Sequence, residues 1–280
     1  MNKVAVVSGS NKGIGYAIVR GLCKQFNGDV ILTSRDESRG REAVSSLEKE
    51  GLHPKFHQLD IEDASSIEQL KEHLVQNYGG LDVLVNNAGF AFKQAATEPF
   101  SEQAEVTVRI NYLGTLAVMK AMMPILRSGA RVANVSSLAG SYAFQKCSKP
   151  LQSKLQAADT IDAVTDLMTC FVQSAKNNTL ETEGWPSSAY GTSKLGLCML
   201  SSIIQKHFDA DSTRSDIIIN ACCPGHVDTQ MTDHMGSKTI DEGAETPLLL
   251  ALLPPNVSEP RGQFMTEGKI EDWMKYEFNF

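Results

Sequence analysis

The stretch that decides the fold reads Val4-Ala5-Val6-Val7-Ser8-Gly9-Ser10-Asn11-Lys12-Gly13-Ile14-Gly15. The short apolar run at 4–7 predicts a buried strand, and the amphipathic residues 14–26 predict a helix. Glycines between them let the backbone turn sharply and approach a pyrophosphate, to which the helix N-terminus offers free N–H groups. A glycine triplet alone is a weak signal. Because this one lies between a strand and a helix, it predicts a dinucleotide-binding site.

Beyond this turn, short apolar runs alternate with longer amphipathic stretches. Further strands are predicted at 29–33, 55–59, 81–86, 131–136 and 217–221. Further helices are predicted at 39–50, 65–77, 102–122 and about 188–207. This alternation is typical of βαβ units, and continuous apolar strands favour a sheet that is covered on both faces. The predicted fold is therefore α/β, a doubly wound parallel sheet of the Rossmann type with helices on both faces.

The chain of 280 residues shows neither an internal repeat nor a linker, so we expect one domain over residues 1–280. Residues 142–186 break the alternation and contain a helical pattern around 161–174. This stretch is interpreted as an inserted helical segment before the helix predicted at 188–207. An ordinary long loop is the alternative, although structureless loops longer than about 12–15 residues are uncommon in compact domains.

Composition excludes several classes of function. A net charge of −7 and the lack of a Lys/Arg-rich run argue against a nucleic-acid binder. No run approaches the ~20 apolar residues of a membrane span, and the run before Gly9 is too short for a signal peptide. The six cysteines lack the spacing of a zinc site. We expect a cytoplasmic protein with reduced thiols, no bound metal and no membrane or nucleic-acid partner.

The end of the second predicted strand bears on the choice between NAD and NADP. An NAD enzyme usually places a carboxylate there to bind the ribose hydroxyls. Here Arg35 follows the strand, Arg39 lies one helical turn further on, and Lys12 lies in the glycine turn. These three cations suit a 2′-phosphate, which predicts NADPH as the cofactor. Asp36 is the counter-evidence, and solvated surface arginines are the alternative.

Polar residues also end the third and fourth predicted strands. Asp60 ends the third, where a carboxylate can accept a hydrogen bond from an adenine amino group. Asn86-Asn87-Ala88-Gly89 ends the fourth, where small residues let the backbone pass close to a ribose. Turn chemistry is the alternative for each, because Asp, Asn and Gly all favour turns. Their succession at the carboxyl ends of parallel strands supports the nucleotide site.

Tyr190 and Lys194 stand four residues apart in Ala189-Tyr190-Gly191-Thr192-Ser193-Lys194. On a helix this spacing puts the phenol and the ammonium on one face. A fixed positive charge beside a phenol favours phenolate, so we expect the pKa of Tyr190 to move from ~10 toward neutrality. Such a group can exchange a proton with a substrate. A helix-surface pair without function is the alternative.

Taken together, the motifs resemble the short-chain dehydrogenase/reductase family over nearly the whole chain. They occur in the family's order: the glycine turn, Asn86-Asn87-Ala88-Gly89, Asn111, Val135-Ser136-Ser137, Tyr190-x-x-x-Lys194 and Pro224-Gly225-x-Val227. Gly184-Trp185-Pro186-Ser187-Ser188-Ala189-Tyr190 and Asn220-Ala221-Cys222-Cys223-Pro224-Gly225 further resemble the animal monomeric NADPH carbonyl reductases. That subgroup also shares the long insertion between Ser137 and Tyr190, which lies over helices that oligomeric relatives use to associate. The resemblance therefore implies a monomer.

The resemblance implies a role for each of four residues. Ser137 would hydrogen-bond the substrate oxygen, and Tyr190 would donate the proton during reduction. Lys194 would lower the pKa of the tyrosine and hold the nicotinamide ribose. Asn111 would kink its helix and hold a water that links Lys194 to solvent.

The predicted contacts extend along the whole site. The predicted cofactor contacts are Gly9, Asn11, Lys12, Gly13, Ile14, Gly15, Arg35, Arg39, Asp60, Ile61, Asn87, Ala88, Gly89, Tyr190, Lys194, Pro224, Gly225, Val227 and Thr229. The predicted substrate contacts are Ser137, Leu138, Tyr190, His226 and Met231, and no residue is expected to bind a metal.

The sequence departs from the family pattern at His226, where mammalian members of the subgroup carry tryptophan. A smaller, titratable side chain would then line the pocket, which changes the ligands that it accepts. Residues 226–240 are interpreted as a mobile lid. Cys223 in the same loop is either a packed thiol or a redox-sensitive one.

The sequence thus predicts NADPH-dependent reduction of ketones, aldehydes or quinones, carried by Tyr190 as proton donor. An NADP-linked alcohol dehydrogenase that oxidises a hydroxysteroid, prostaglandin or terpenoid is one alternative. A non-catalytic NADPH-binding sensor is the other, because a fold alone does not establish activity.

Overall fold

The computed structural model describes residues 2–278. Its strands are β1 Val4–Val7, β2 Asp29–Ser34, β3 Lys55–Gln58, β4 Leu81–Asn86, β5 Leu126–Val135, β6 Ile218–Cys223, β7 Phe264–Thr266 and β8 Lys269–Glu271. They form one sheet in the order β3-β2-β1-β4-β5-β6-β7-β8. Every neighbouring pair is parallel except β7 and β8, which are antiparallel. The predicted doubly wound parallel sheet is confirmed, with two unpredicted strands, β7 and the antiparallel β8, added at its edge.

Helices cover both faces of this sheet. They are α1 Gly13–Gln25, α2 Glu37–Lys49, α3 Ala64–Tyr78, α4 Phe100–Thr107, α5 Thr115–Met122, α6 Leu138–Lys146, α7 Lys149–Ala157, α8 Ile161–Asn177, α9 Leu180–Glu183, α10 Ala189–Asp209 and α11 Ile240–Ala251. One core cluster joins the sheet to α1, α2 and α11, and the other joins it to α3, α4, α5 and α10. The central strands β1, β4 and β6 are buried between these two layers, which explains their largely apolar sequence.

The strand order places the predicted site residues at one edge of the sheet. β1 lies between β2 and β4. The strand order runs outward from β1 through β2 to β3 on one side, and then outward from β4 to β8 on the other. In open α/β sheets, ligands bind in the crevice outside the carboxyl ends of the strands at such a switch point. The glycine turn follows β1, Asn87 follows β4, and Ser137 follows β5.

The structure differs from the predicted elements in several places. Residues 102–122, predicted as one helix, are α4 and α5 joined by a π-helical segment, Val108–Gly114. α6 and α11 were not predicted. Gly140 weakens the helical pattern of α6, and Pro247 lies inside α11, which begins with a capping box of Thr239 and Glu242.

The inserted segment forms α7, α8 and α9. Thr160 caps the N-terminus of α8 through its side chain, and Asn178 ends the helix in the left-handed conformation. α8 buries Val164, Met168 and Phe171, and packs against α4 and α10. The predicted helical insertion is thus present in the structure. None of the helices in residues 2–278 is long and apolar enough to cross a membrane.

Candidate active site

Hydrogen bonds join the carboxyl ends of β1 and β4 around the glycine turn. Ser8 Oγ accepts hydrogen bonds from the backbone N–H groups of Asn87 and Ala88, each at 3.0 Å. Asn87 Nδ2 in turn donates to the carbonyl oxygens of Ser8 and Gly9, also at 3.0 Å. Gly9 has a φ of +59°, and a methyl group added there would lie 2.8 Å from Ala88 Cα. Gly15 is equally tight, since its added methyl would overlap the Asn87 amide, so the turn requires glycine at both positions.

Two of the three cations predicted to bind a 2′-phosphate are engaged with other partners. Lys12 Nζ donates to Gln230 Oε1 at 2.6 Å. Arg39 Nε lies 3.4 Å from Asp36 Oδ2, and the side chain of Arg35 is exposed. Asp36 is the N-cap of α2 and accepts a hydrogen bond from the Arg39 backbone N–H at 2.9 Å. Arg35 is the first residue beyond β2. Asp36, the next residue, is occupied as a helix cap.

Asp60 and Ile61 follow β3, beside the end of β2. The Asp60 carboxylate accepts a hydrogen bond from the Glu62 backbone N–H at 3.0 Å, which is turn chemistry. Ile61 is buried, and a methyl group on Gly114 would lie 3.0 Å from its Cδ1. Ile61 therefore packs against the π-helical segment. The contact between Asp60 and adenine stays a prediction.

Ser137, Tyr190 and Lys194 meet where β5 ends against the first turns of α10. Ser137 caps α6 by accepting a hydrogen bond from the Ala139 backbone N–H at 3.1 Å, and its hydroxyl group lowers the pKa of the Tyr190 phenol. Lys194 Nζ lies 5.6 Å from the centroid of the Tyr190 ring and donates to the Val135 carbonyl at 2.8 Å. The four-residue spacing thus places the phenol and the ammonium on one face of α10, as expected.

Asn111 lies in the π-helical segment and connects it to the end of β4. Its Oδ1 accepts from the Phe90 backbone N–H at 2.7 Å, and its Nδ2 donates to the Phe90 carbonyl at 2.9 Å and to Ser193 Oγ at 3.0 Å. A methyl group on Gly89 would lie 3.3 Å from Asn111 Oδ1 and 3.6 Å from Lys194 Nζ. Single π-helical turns often occur at functional sites. Here the segment breaks the regular helix at Asn111, as the family resemblance implies.

Burial controls the protonation of the Tyr190–Lys194 pair. It lowers the pKa of Lys194 to about 8. It also raises the pKa of Tyr190 above its ordinary value; Cys223 adds to that increase and the Ser137 hydrogen bond opposes it. The expected movement of the Tyr190 pKa toward neutrality is therefore wrong for this structure, because desolvation of the phenolate is the larger effect. Tyr190 is a protonated phenol at neutral pH.

The loop after β6 folds back over the glycine turn. Pro224 and Gly225 begin it half-buried, with Gly225 at a φ of +87°. Val227 is 2% exposed. Thr229 Cγ2 would lie 3.5 Å from a methyl group added to Gly13. The structure thus brings Thr229 close to the glycine turn, as a shared cofactor contact requires.

The residues predicted to contact the substrate differ in how far they are buried. Leu138 is half-buried directly after Ser137, at the start of α6. His226 is exposed and Met231 is 41% exposed. Cys223 is 4% exposed, which favours the packed thiol over the redox-sensitive one. The substrate contacts of His226 and Met231 stay predictions.

Sequence reasoning missed the contacts that hold the 226–240 segment. Lys93 Nζ donates to the Gln230 carbonyl and lies 2.5 Å from Asp233 Oδ1. Together with the hydrogen bond between Lys12 and Gln230, these contacts attach the segment to the loops after β1 and β4. No local pattern indicates them, because each joins residues that are distant in the chain.

A glycine turn after β1, together with Ser137, Tyr190 and Lys194 at the same edge of the sheet, is typical of a dinucleotide-dependent oxidoreductase, and known proteins agree with this class. The family model described as short chain dehydrogenase matches residues 3–156. The chain is 50% identical to NADPH carbonyl reductase 3 of Mus musculus over 274 residues, which cover 97% of this chain and 99% of the relative. It is 49% identical to NADPH carbonyl reductase 1 of Homo sapiens over 271 residues, covering 96% and 98%. The chain therefore belongs to the short-chain dehydrogenase family.

Solved structures show the same fold. Salutaridine reductase from Papaver somniferum matches with a TM-score of 0.82 at 30% identity, covering 94% of this chain and 99% of that one. Menthone neomenthol reductase from Mentha piperita matches with a TM-score of 0.77 at 30% identity, covering 95% and 99%. The family resemblance stated from the motifs is confirmed.

Proposed function

We propose that this protein reduces carbonyl compounds, namely ketones, aldehydes or quinones, to alcohols with NADPH. The observation that carries the proposal is the meeting of Ser137, a protonated Tyr190 and the buried Lys194 at the carboxyl ends of the central strands. The mammalian relatives at about half identity, which are named NADPH carbonyl reductases, support it.

The residues present fit NADPH. Gly9 and Gly15 let the turn pack closely against Asn87 and Ala88, and the N-terminus of α1 directly after this turn offers free N–H groups to a pyrophosphate. Arg35 offers a guanidinium where a 2′-phosphate would lie, and Asp36 is occupied as a helix cap. When bound, NADPH supplies the hydride for the reduction.

The remaining cofactor contacts are proposed by position. The nucleotide half would be held by Asn11, Lys12, Ile14, Arg39, Asp60, Ile61, Asn87, Ala88 and Gly89. The nicotinamide half would be held by Tyr190, Lys194, Pro224, Gly225, Val227 and Thr229.

The side chains of the site perform the acid chemistry. Ser137 lies close enough to Tyr190 to lower the pKa of its phenol, and we propose that both hydroxyl groups bind the same substrate oxygen. That oxygen gains negative charge during reduction, which the two donors stabilise. Tyr190 then gives up its proton, and the charged form of Lys194 stabilises the phenolate that is left. Asn111 positions the neighbouring Ser193 and Phe90, and we propose that it also holds the proton path to solvent.

The raised pKa of Tyr190 favours reduction over the oxidative alternative. A base for alcohol oxidation must be deprotonated, whereas burial keeps this phenol protonated. The non-catalytic sensor is disfavoured because Asn111, Ser137, Tyr190 and Lys194 are all present and contact one another or shared neighbours.

We further propose a cytoplasmic monomer that forms one domain over residues 1–280. α8 packs on α4 and α10, and so covers an apolar surface that would otherwise be available for association. The six cysteines, all of which lie in the described residues, form no disulfide, which suits a reducing compartment.

The experiment is a turnover assay that follows loss of NADPH absorbance with isatin, a quinone, a prostaglandin and a steroid ketone. We expect turnover with NADPH to exceed that with NADH, and Tyr190→Phe to lower kcat by at least about 10²-fold. Ser187→Ala, at an exposed position before α10, is the control and keeps wild-type rates. Tight NADPH binding without reduction of any carbonyl would contradict the proposal and favour the sensor.

A further inference from the structure

Ser136 lies between the end of β5 and Ser137, and its side chain is directed into the protein rather than into the site. The residue is 1% exposed. Its Oγ donates a hydrogen bond to the Lys194 carbonyl at 2.8 Å. Its backbone N–H donates to the Cys222 carbonyl at 2.7 Å, which fixes its main chain against β6. The Ser136 hydroxyl therefore joins the fixed end of β5 to the turn of α10 that carries Lys194.

The neighbours of Ser136 determine the direction of its hydrogen bond. Cys198 Sγ, one helical turn beyond Lys194, lies 3.2 Å from Ser136 Oγ. A hydroxyl carries a single hydrogen, and a carbonyl oxygen can only accept. Because Ser136 gives its hydrogen to the Lys194 carbonyl, the Cys198 thiol is the donor to Ser136 Oγ. Burial raises the pKa of this thiol to about 12, so it keeps the hydrogen that it donates at neutral pH.

Consecutive residues at the end of β5 hold Lys194 at both of its ends. The Val135 carbonyl accepts a hydrogen bond from Lys194 Nζ at 2.8 Å. Ser136 holds the backbone carbonyl of the same lysine. Ser137, the next residue, carries the hydroxyl proposed to bind the substrate. Any slip of α10 along β5 would therefore move Lys194 and Tyr190 together relative to Ser137.

We propose that Ser136 is a positioning residue, whose hydroxyl fixes the first turns of α10 on the end of β5 and thereby places Lys194 beside Tyr190. The proposal rests on the carbonyl reductase function proposed above, in which Lys194 stabilises the Tyr190 phenolate. Small displacements of reacting groups cost large factors in rate. Since the Ser136 hydroxyl is engaged by α10, its loss should lower kcat while substrate binding is kept.

Ser201 offers a matched control on the same strand and helix. It is also 1% exposed, and its Oγ accepts a hydrogen bond from Asn134 Nδ2 of β5 at 2.8 Å while it donates to the Leu197 carbonyl at 2.8 Å. It lies about two helical turns beyond Lys194. Ser201→Ala therefore removes a buried hydrogen bond between β5 and α10, at a cost in stability, but leaves the turn of Lys194 in place.

The kinetic test measures kcat and KM for the fastest carbonyl of the turnover assay, with NADPH held saturating. We expect kcat to fall about 10-fold to 10²-fold in Ser136→Ala, with KM for the carbonyl within about twofold of wild type. Ser136→Thr keeps the hydroxyl and should restore most of kcat. Ser201→Ala should keep the wild-type kcat. An unchanged kcat in Ser136→Ala, an equal loss in Ser136→Thr or an equal loss in Ser201→Ala would overturn the positioning role.

A measurement without substrate separates this proposal from the proposed function. In protein whose lysines carry ¹³C at Cε, the Lys194 signal is the one that Lys194→Met lacks. We expect its NMR order parameter to fall to about 0.6 or lower in Ser136→Ala, and to keep the wild-type value in Ser136→Thr and Ser201→Ala. That result supports the positioning role even if the wild type reduces no carbonyl, which would defeat only the proposed function. An unchanged order parameter in Ser136→Ala would refute the positioning role whatever the wild type reduces.

Discussion

Lys194 places a titrating cation next to the proton donor. Its pKa is lowered to about 8, so the ammonium that we propose to stabilise the Tyr190 phenolate is charged below that pH and neutral above it. We expect kcat/KM for carbonyl reduction to be level below pH about 8 and to fall about tenfold per pH unit above it. A pH–rate profile with NADPH held saturating checks this. A profile that stays flat far above the pKa of Lys194 would contradict it.

The same buried charge lowers the stability of the fold. Because the pKa of Lys194 is about 8 when folded and 10.5 in a model peptide, the unfolded chain binds more protons between these values. Its contribution to stability is therefore least favourable below pH about 8 and improves as the pH rises through that window. We expect Lys194→Met to abolish activity yet to raise the free energy of unfolding near neutral pH by about 1–3 kcal/mol.

Urea unfolding of Lys194→Met and wild type at neutral pH and near pH about 10 measures this difference. The gain should shrink at the higher pH, where wild-type Lys194 is largely neutral. Lys206→Met, an exposed lysine in the last turn of α10, is the control and should show no such dependence. A loss of stability in Lys194→Met at neutral pH would mean that the hydrogen bond to Val135 outweighs the cost of burial.

At the residue scale, side chains whose position follows from local spacing were predictable. Tyr190 and Lys194 share a helix face because of the helical period, and Ser8 and Gly9 follow from the strand-turn-helix pattern. The partners of Lys12 and Arg39 were not predicted, because a surface cation pairs with whichever residues folding brings close to it. The direction of the Tyr190 pKa was wrong for the same reason, since burial is a property of the folded chain.

Close contact between α6 and α10 sets the distance from Ser137 to Tyr190. A methyl group on Gly140 would lie 2.7 Å from the Leu195 backbone nitrogen and 2.9 Å from the Lys194 carbonyl carbon. Backbone atoms cannot rotate away, so Gly140→Ala must push α6 outward and carry Ser137 with it. We expect a loss of about 1–3 kcal/mol in unfolding free energy and a larger fall in kcat than in NADPH affinity.

Ser141→Ala is the matched control for this prediction. Ser141 neighbours Gly140 on α6, and within the described residues its buried Oγ has no hydrogen-bond partner. Its replacement removes an unsatisfied hydroxyl and adds no atoms, so stability should be unchanged or slightly increased. Equal loss of kcat in both variants would show that α6 tolerates no change at all, and would contradict the specific role given to Gly140.

At the element scale, the amphipathic period predicted α1, α2, α3 and α10, as well as α8 inside the insertion. It did not predict the π-helical segment, since the side-chain pattern of residues 102–122 is that of a continuous helix. What breaks the helix there is tertiary: Asn111 binds the Phe90 backbone, and Gly114 receives the side chain of Ile61. Such contacts leave no periodic signal in the sequence.

At the scale of the whole molecule, one sheet gathers the site from distant parts of the chain. The loops after β1, β4, β5 and β6 each contribute residues, and all lie at the carboxyl edge because the strands are parallel. The alternating pattern of strands and helices is enough to predict this arrangement. Residues 273–278, which contact Phe144 and Gln145 of α6, were beyond such a prediction, since they form neither a helix nor a strand.

The insertion bears on the assembly state, because α8 covers α4 and α10. Phe171 links them: its ring lies 6.3 Å from that of Phe100 in α4 and 5.4 Å from that of Trp185, which precedes α10. We expect the wild type to sediment as a monomer of 30.5 kDa at all concentrations tested. Phe171→Ala should lose about 3–5 kcal/mol in unfolding free energy and begin to self-associate, because α8 loosens from that apolar surface.

Gln173→Ala is the control for the role of α8, since its side chain is exposed on the same helix. It should stay monomeric with wild-type stability, which separates the effect of the buried ring from that of any substitution in α8. Sedimentation velocity over a range of concentrations measures the assembly state directly. A wild-type species of twice the monomer mass would contradict the monomer.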